Sequence, residues 1–157
     1  QLLTNIADLY FKLNKYPLAL EYYDKLVERG VKEKNVFLKR GLILTETGEF
    51  EKAILDFDNA EKAGEKSAQL YINKGRAFIQ LEDNKSALVA LNKAVEVDSK
   101  NTDALFNRGL VKESLEDFEG AMSDYNRVIA ANPNDALAYY NRSTCKGNLD
   151  DFGAGVA

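Results

Sequence analysis

Apolar residues recur along the chain at the three- and four-residue spacing of helices that bury one face, and these stripes come in pairs. In the stretch 102–134, Leu105, Phe106, Leu110, Val111 and Leu115 form one stripe, which Glu116 and Asp117 interrupt. Phe118, Ala121, Met122, Tyr125, Val128 and Ile129 form the next. Pro133 stops that second helix because it cannot continue one, and Asn132 and Asn134 suit the turn around it. Pro17 falls in the opening turn of another helix, where its missing N–H costs little, and Gly48 and Gly64 mark further breaks. The pattern predicts an all-α chain of helix pairs.

The pairs repeat. Ala19, Ala53, Ala87 and Ala121 lie 34 residues apart, with Gly155 at the next place, and Gly41, Gly75 and Gly109 keep the same step between Ala7 and Ser143. Two bulkier series follow it: Tyr16, Phe50, Asn84, Phe118 and Phe152, then Tyr23, Phe57, Leu91 and Tyr125. Small residues where two helices cross let the backbones approach within the usual ~8–10 Å, and Gly75 is expected to meet Ala87 there. Each pair carries apolar surface on both flanks, so it must stack on neighbours to be stable. The period divides the chain into repeats 1–33, 34–67, 68–101, 102–135 and a partial 136–157. The last repeat is expected to stop as its second helix begins. Neither end reads as a polar cap, so Leu137, Tyr140 and the start at Asp151-Phe152 are expected to expose surface meant for a neighbour in a longer array.

These residues resemble the tetratricopeptide repeat family. Its pattern is visible in Tyr71, Lys74-Gly75, Phe78, Ala87 and Leu91, and again in Leu105, Arg108-Gly109, Ala121, Tyr125 and Pro133, and in Phe37, Arg40-Gly41, Leu44, Ala53 and Phe57. Lys74, Arg108 and Arg142 depart from it by replacing the usual Leu, and Lys112 replaces the first-helix Tyr. The resemblance implies a right-handed α-solenoid of antiparallel helix pairs whose first helices line a concave groove. It also implies binding of a peptide or helix of a partner protein, with no catalysis and no cofactor.

The residues of each first helix that packing leaves over are expected to line that groove. Asn5, Lys39, Asn73, Asn107 and Asn141 share one place in the repeat. A repeated amide offers donor and acceptor together and can grip a partner's backbone whatever its side chains are, similar to the asparagine ladder of some superhelical members of the family. The alternative is that these amides bond a neighbouring helix or solvate the surface. Beside the row stand Leu38, Ile72, Phe106 and Tyr140, and one turn on Leu42, Arg76 and Leu110, which suit an amphipathic or apolar peptide unless they pack between hairpins instead. The carboxylate clamp of the family's chaperone-tail members is not expected. No Lys-with-Asn pair precedes Asn73 or Asn107, and Phe106 and Leu110 precede Asn141-Arg142-Ser143.

Composition removes whole classes of chemistry. The 157 residues include no His and a single Cys145, so the usual zinc sets, the Ser/His/Asp triad, the Cys/His dyad and an internal disulfide cannot be assembled within them. Cys145 falls on an apolar helix face and reads as a buried structural thiol. A formal net charge of −4 offers no basic field for nucleic acid, and no apolar run reaches the ~20 residues needed to cross a bilayer. The repeat 102–135 alone carries seven acidic against three basic side chains, and Glu113, Glu116, Asp117 and Glu119 cluster at its interhelical turn, which reads as a solvated edge. Asp56, Asp58, Asp150 and Asp151 lack calcium-loop spacing, so no metal site is expected.

The sequence therefore predicts a non-enzymatic interaction scaffold that binds a protein or peptide in its groove. Two other readings stay open: a recruitment arm of a larger enzyme whose catalytic domain lies elsewhere, and an assembly piece that self-associates through exposed end hairpins. The compartment is unknown from sequence.

Overall fold

A computed structural model describes residues 1–155, with side chains through Asp151. Among these residues the chain forms nine helices and no strand: α1 (Leu2–Lys12), α2 (Tyr16–Glu28), α3 (Lys34–Glu46), α4 (Phe50–Lys62), α5 (Ala68–Gln80), α6 (Asn84–Val97), α7 (Thr102–Ser114), α8 (Phe118–Ala131) and α9 (Ala136–Gly155). They fall into two compact units, Gln1–Lys66 with α1–α4 and Ser67–Ala157 with α5–α9. None of the described helices is long and apolar enough to cross a membrane.

The 34-residue period is set by steric fit. Ala7, Ala19, Ala53, Ala87 and Ala121 have no exposed surface, nor do Tyr23, Phe57, Leu91 and Tyr125. A Cβ on Gly41 would come within 2.7 Å of the Phe57 ring, one on Gly75 within 2.7 Å of Leu91 Cγ, and one on Gly109 within 2.6 Å of the Tyr125 ring. Each glycine thus receives the large residue sixteen positions on. The space that the missing side chain of Gly75 leaves is filled by Leu91.

Local signals start and stop the helices. Asn101, Asp117 and Asp135 cap their helices by accepting a hydrogen bond from the backbone N–H three residues on, at 3.0 Å in each case. Pro17 occupies the first turn of α2. The turns inside the hairpins pass through the left-handed region at Asn14, Gly48, Glu82 and Glu116, again 34 residues apart. Asp150 holds the next place, yet α9 runs through it to Gly155 without the expected turn. Leu149 packs while still helical against the cluster of Phe118, Ala121, Tyr125 and Cys145. Leu137 and Tyr140 are 64% and 70% exposed, as expected. The side chain of Phe152 lies outside the described residues.

Charged residues join successive helices within each unit. Arg40 on α3 donates through Nε and Nη2 to Asp56 on α4 at 2.6 and 2.7 Å, and through Nη1 to Asp24 on α2 at 3.1 Å. Arg108 on α7 repeats this with Asp124 on α8 at 2.8 and 2.6 Å and Asn92 on α6 at 3.1 Å. Arg142 on α9 donates to Asn126 on α8 at 2.8 Å. Two of the apparent departures from the family's Leu, Arg108 and Arg142, are therefore interhelical ties.

Candidate functional site

Two first helices of the second unit, α7 and α9, flank a depression of about 530 Å³. Leu110 on α7 and Asn141 on α9, both expected in the groove, line it together. Glu113, Ser114 and Glu116 add carboxylates and a hydroxyl, Asn148 a second amide, and the buried Phe118 an aromatic surface. The Glu113 carboxylate is fixed from below, accepting the Tyr125 hydroxyl at 3.1 Å. Burial, with the Glu113 charge added to it, pushes the Tyr125 phenol far above its ordinary range. The same two causes push the buried Cys145 thiol up to about 11. Cys145 is thus a neutral packing residue at physiological pH, as its place on an apolar helix face predicts.

The structure divides the expected groove row. Asn5 and Arg76 are exposed, while Leu38, Leu42, Asn107 and Leu110 are half-buried. Ile72 has no exposed surface, and Asn73 is 8% exposed with its side-chain oxygen accepting from Gln69 Nε2 at 3.0 Å, one turn earlier in α5. Asn107 likewise turns one N–H onto its own helix, at the Asp103 carbonyl 2.7 Å away. Phe106 packs between helices, its ring 5.7 Å from that of Tyr125. Tyr140 stands free. In the first unit, Lys39 pairs with Asp8 on α1 at 2.8 Å, and Asp8 also accepts the Tyr23 hydroxyl at 2.6 Å. Burial would raise the Asp8 carboxyl, but Lys39 and Tyr23 outweigh it and hold the group below its ordinary range.

Sequence reasoning missed the part played by Glu113 and Asn148. Glu113 is half-buried rather than part of the expected solvated edge, whereas Glu116, Asp117 and Glu119 are exposed at the turn. Only the three-residue step from Leu110 to Glu113 along one helix face signals that they share a surface. No group of three or more metal-ligating side chains gathers among the described residues. With amides, a hydroxyl, carboxylates and one apolar patch, the depression can hydrogen-bond an extended backbone and seat an apolar side chain. Its hydroxyl, Ser114 Oγ, donates to the Leu110 carbonyl at 3.1 Å.

The sequence matches the tetratricopeptide repeat family over residues 4–68 and 72–144. No curated protein matches the chain significantly. Among solved structures, MamA shares 22% identity at a TM-score of 0.87, over 92% of this chain and 85% of that one. YrrB, described as a tetratricopeptide repeat protein with an unusual peptide-binding site, shares 27% at 0.86, over 93% and 75%. The first such domain of Spaghetti (RPAP3), solved with the HSP90 peptide SRMEEVD, shares 24% at 0.72, over 75% and 94%.

Proposed function

The chain belongs to the tetratricopeptide repeat family, and on that premise we propose that it is a non-enzymatic interaction scaffold holding a peptide segment of a partner protein against the first helices of its second unit. One observation carries this reading: Leu110 and Asn141, 31 residues apart on two first helices, line a single depression. Leu110 and Phe118 seat an apolar side chain of the peptide, and Asn141 and Asn148 hydrogen-bond its backbone. The peptide-binding site that YrrB is described with, and the HSP90 peptide that the Spaghetti domain was solved with, support the same use of this fold. Asn73 and Ile72 are buried and do not line this depression.

The test is selection of peptides from a displayed random library on the intact chain. Affinities are then measured for Leu110→Glu and Asn141→Ala. The account expects at least tenfold weaker binding for Leu110→Glu with the helical circular-dichroism signal unchanged. Equal affinity contradicts it.

The exposure of Leu137 and Tyr140 on the first turns of α9 supports a second reading, self-association through that face. Sedimentation over a dilution series tests it: a monomer at every concentration contradicts it.

A further inference from the structure

A second concave site, which uses none of the residues of the peptide depression, lies within the first unit. The ends of α2 and α4 and the start of α3 enclose a pocket of about 400 Å³. Its apolar wall is Val27, Val31, Phe37 and Ala63, and its polar groups are Lys32, Lys62 and the Asn59 amide. That is the composition of a small-ligand site: an apolar body with a few convergent polar groups.

The charge of the pocket is one-sided. No carboxylate lines it, and among the described residues neither Lys32 nor Lys62 has an ion pair, whereas Lys34 is held by Glu65 at 3.3 Å. Lysines at helix C-termini are favoured by the helix dipole, which alone would account for their presence. At both ends, however, the terminal carbonyls are already engaged. Gly30 N–H donates to Val27 and Val31 N–H to Leu26 at 2.9 and 3.1 Å, and Gly64 N–H donates to Glu61 and Glu65 N–H to Ala60 at 3.0 and 2.9 Å. These closures also fix Val31 and Ala63, so the apolar wall is preformed.

The second unit shows what a closed version looks like. Two repeats on, Val95, Ser99 and Leu105 replace Val27, Val31 and Phe37, while Arg127 replaces Asn59 and Ala130 replaces Lys62. There Arg127 donates to the Ser99 carbonyl at 2.5 Å and ties α8 to the chain between α6 and α7. In the first unit the shorter Asn59 leaves the matching space open, and Lys62 adds a cation to it.

We propose that this pocket binds a small apolar carboxylate, its hydrocarbon body against Val27, Val31 and Phe37 and its carboxylate between Lys32 and Lys62, with the Asn59 amide as a further donor.

The experiment uses the fluorescent apolar anion 8-anilinonaphthalene-1-sulfonate on the intact chain, displaced by decanoate or by decanol. The expected result is one saturable site that decanoate empties and decanol does not. The site should weaken at least tenfold in the double variant Lys32→Gln with Lys62→Gln, and be lost in Asn59→Arg, which installs the closing residue of the second unit. Lys32 and Lys62 are exposed and Asn59 is half-buried, and circular dichroism checks that the fold is kept. The proposal is overturned if decanol displaces the dye as well as decanoate, if the double lysine variant binds unchanged, or if Asn59→Arg retains the site.

Discussion

The guanidinium of Arg108 grips both oxygens of Asp124, at 2.8 and 2.6 Å, with only 14% and 2% of the two side chains exposed. Lys112 adds a second cation 3.0 Å from the same carboxylate. Removing Arg108 leaves a buried charge that Lys112 only partly compensates. Arg108→Ala is therefore expected to destabilise the chain by about 3 kcal/mol, near the low end for breaking a buried pair. Urea unfolding measures it, and the double variant with Asp124→Ala should lose less than the sum of the single losses.

The same substitution, Gly to Ala in a helix, should have opposite signs at two places. At Gly109 the new methyl meets the Tyr125 ring at 2.6 Å, so Gly109→Ala is expected to cost about 1–3 kcal/mol. At Gly147 nothing lies within 4 Å, so Gly147→Ala should stabilise α9 by about 1 kcal/mol through helix propensity alone. Thermal melts of the two variants check both signs.

Glu82 and Glu116 hold left-handed backbone, with φ of 59° and 62°, where the second repeat has Gly48 at 81°. Glu116→Gly is expected to relieve roughly 1 kcal/mol of backbone strain, less the entropy that a glycine adds to the unfolded chain. A higher urea midpoint with an unchanged slope is the predicted outcome.

Two titrations should appear in stability. The Asp8 carboxyl is held below its ordinary value in the folded chain, so its contribution is present above the unfolded pKa of about 3.9 and is lost as pH falls through the lower folded value. Lys39→Met should flatten that acid limb. Tyr23 and Tyr125 are raised instead, Tyr23 by burial and then the Asp8 carboxylate. Their contribution is therefore present below the unfolded pKa of about 10 and is lost as pH rises beyond it. Absorbance at 295 nm should show Tyr23 and Tyr125 ionising only as the chain unfolds.

The all-α architecture was legible because one physical demand, a small residue every 34 positions, wrote itself into several residue types at once. The ties through Arg40 and Arg108 were legible in principle. Basic residues at 40, 74, 108 and 142 are matched sixteen positions earlier by Asp24, Asp58, Asn92 and Asn126, but a family pattern that marks the place as Leu hides the pairing. Equivalent places in a repeat share backbone geometry but not neighbours, so Asn141 lines the depression while Asn73 is buried beside Gln69. Phe106 went the same way because a ring on a half-buried helix face gains more from packing on Tyr125 than from water.

The most direct test of the peptide-binding account is a backbone amide NMR footprint of the chain with a library-selected peptide. The account predicts that the largest shifts fall on Leu110, Glu113, Asn141 and Asn148 and disappear in Leu110→Glu. Shifts centred elsewhere, or a footprint that survives Leu110→Glu, would contradict it.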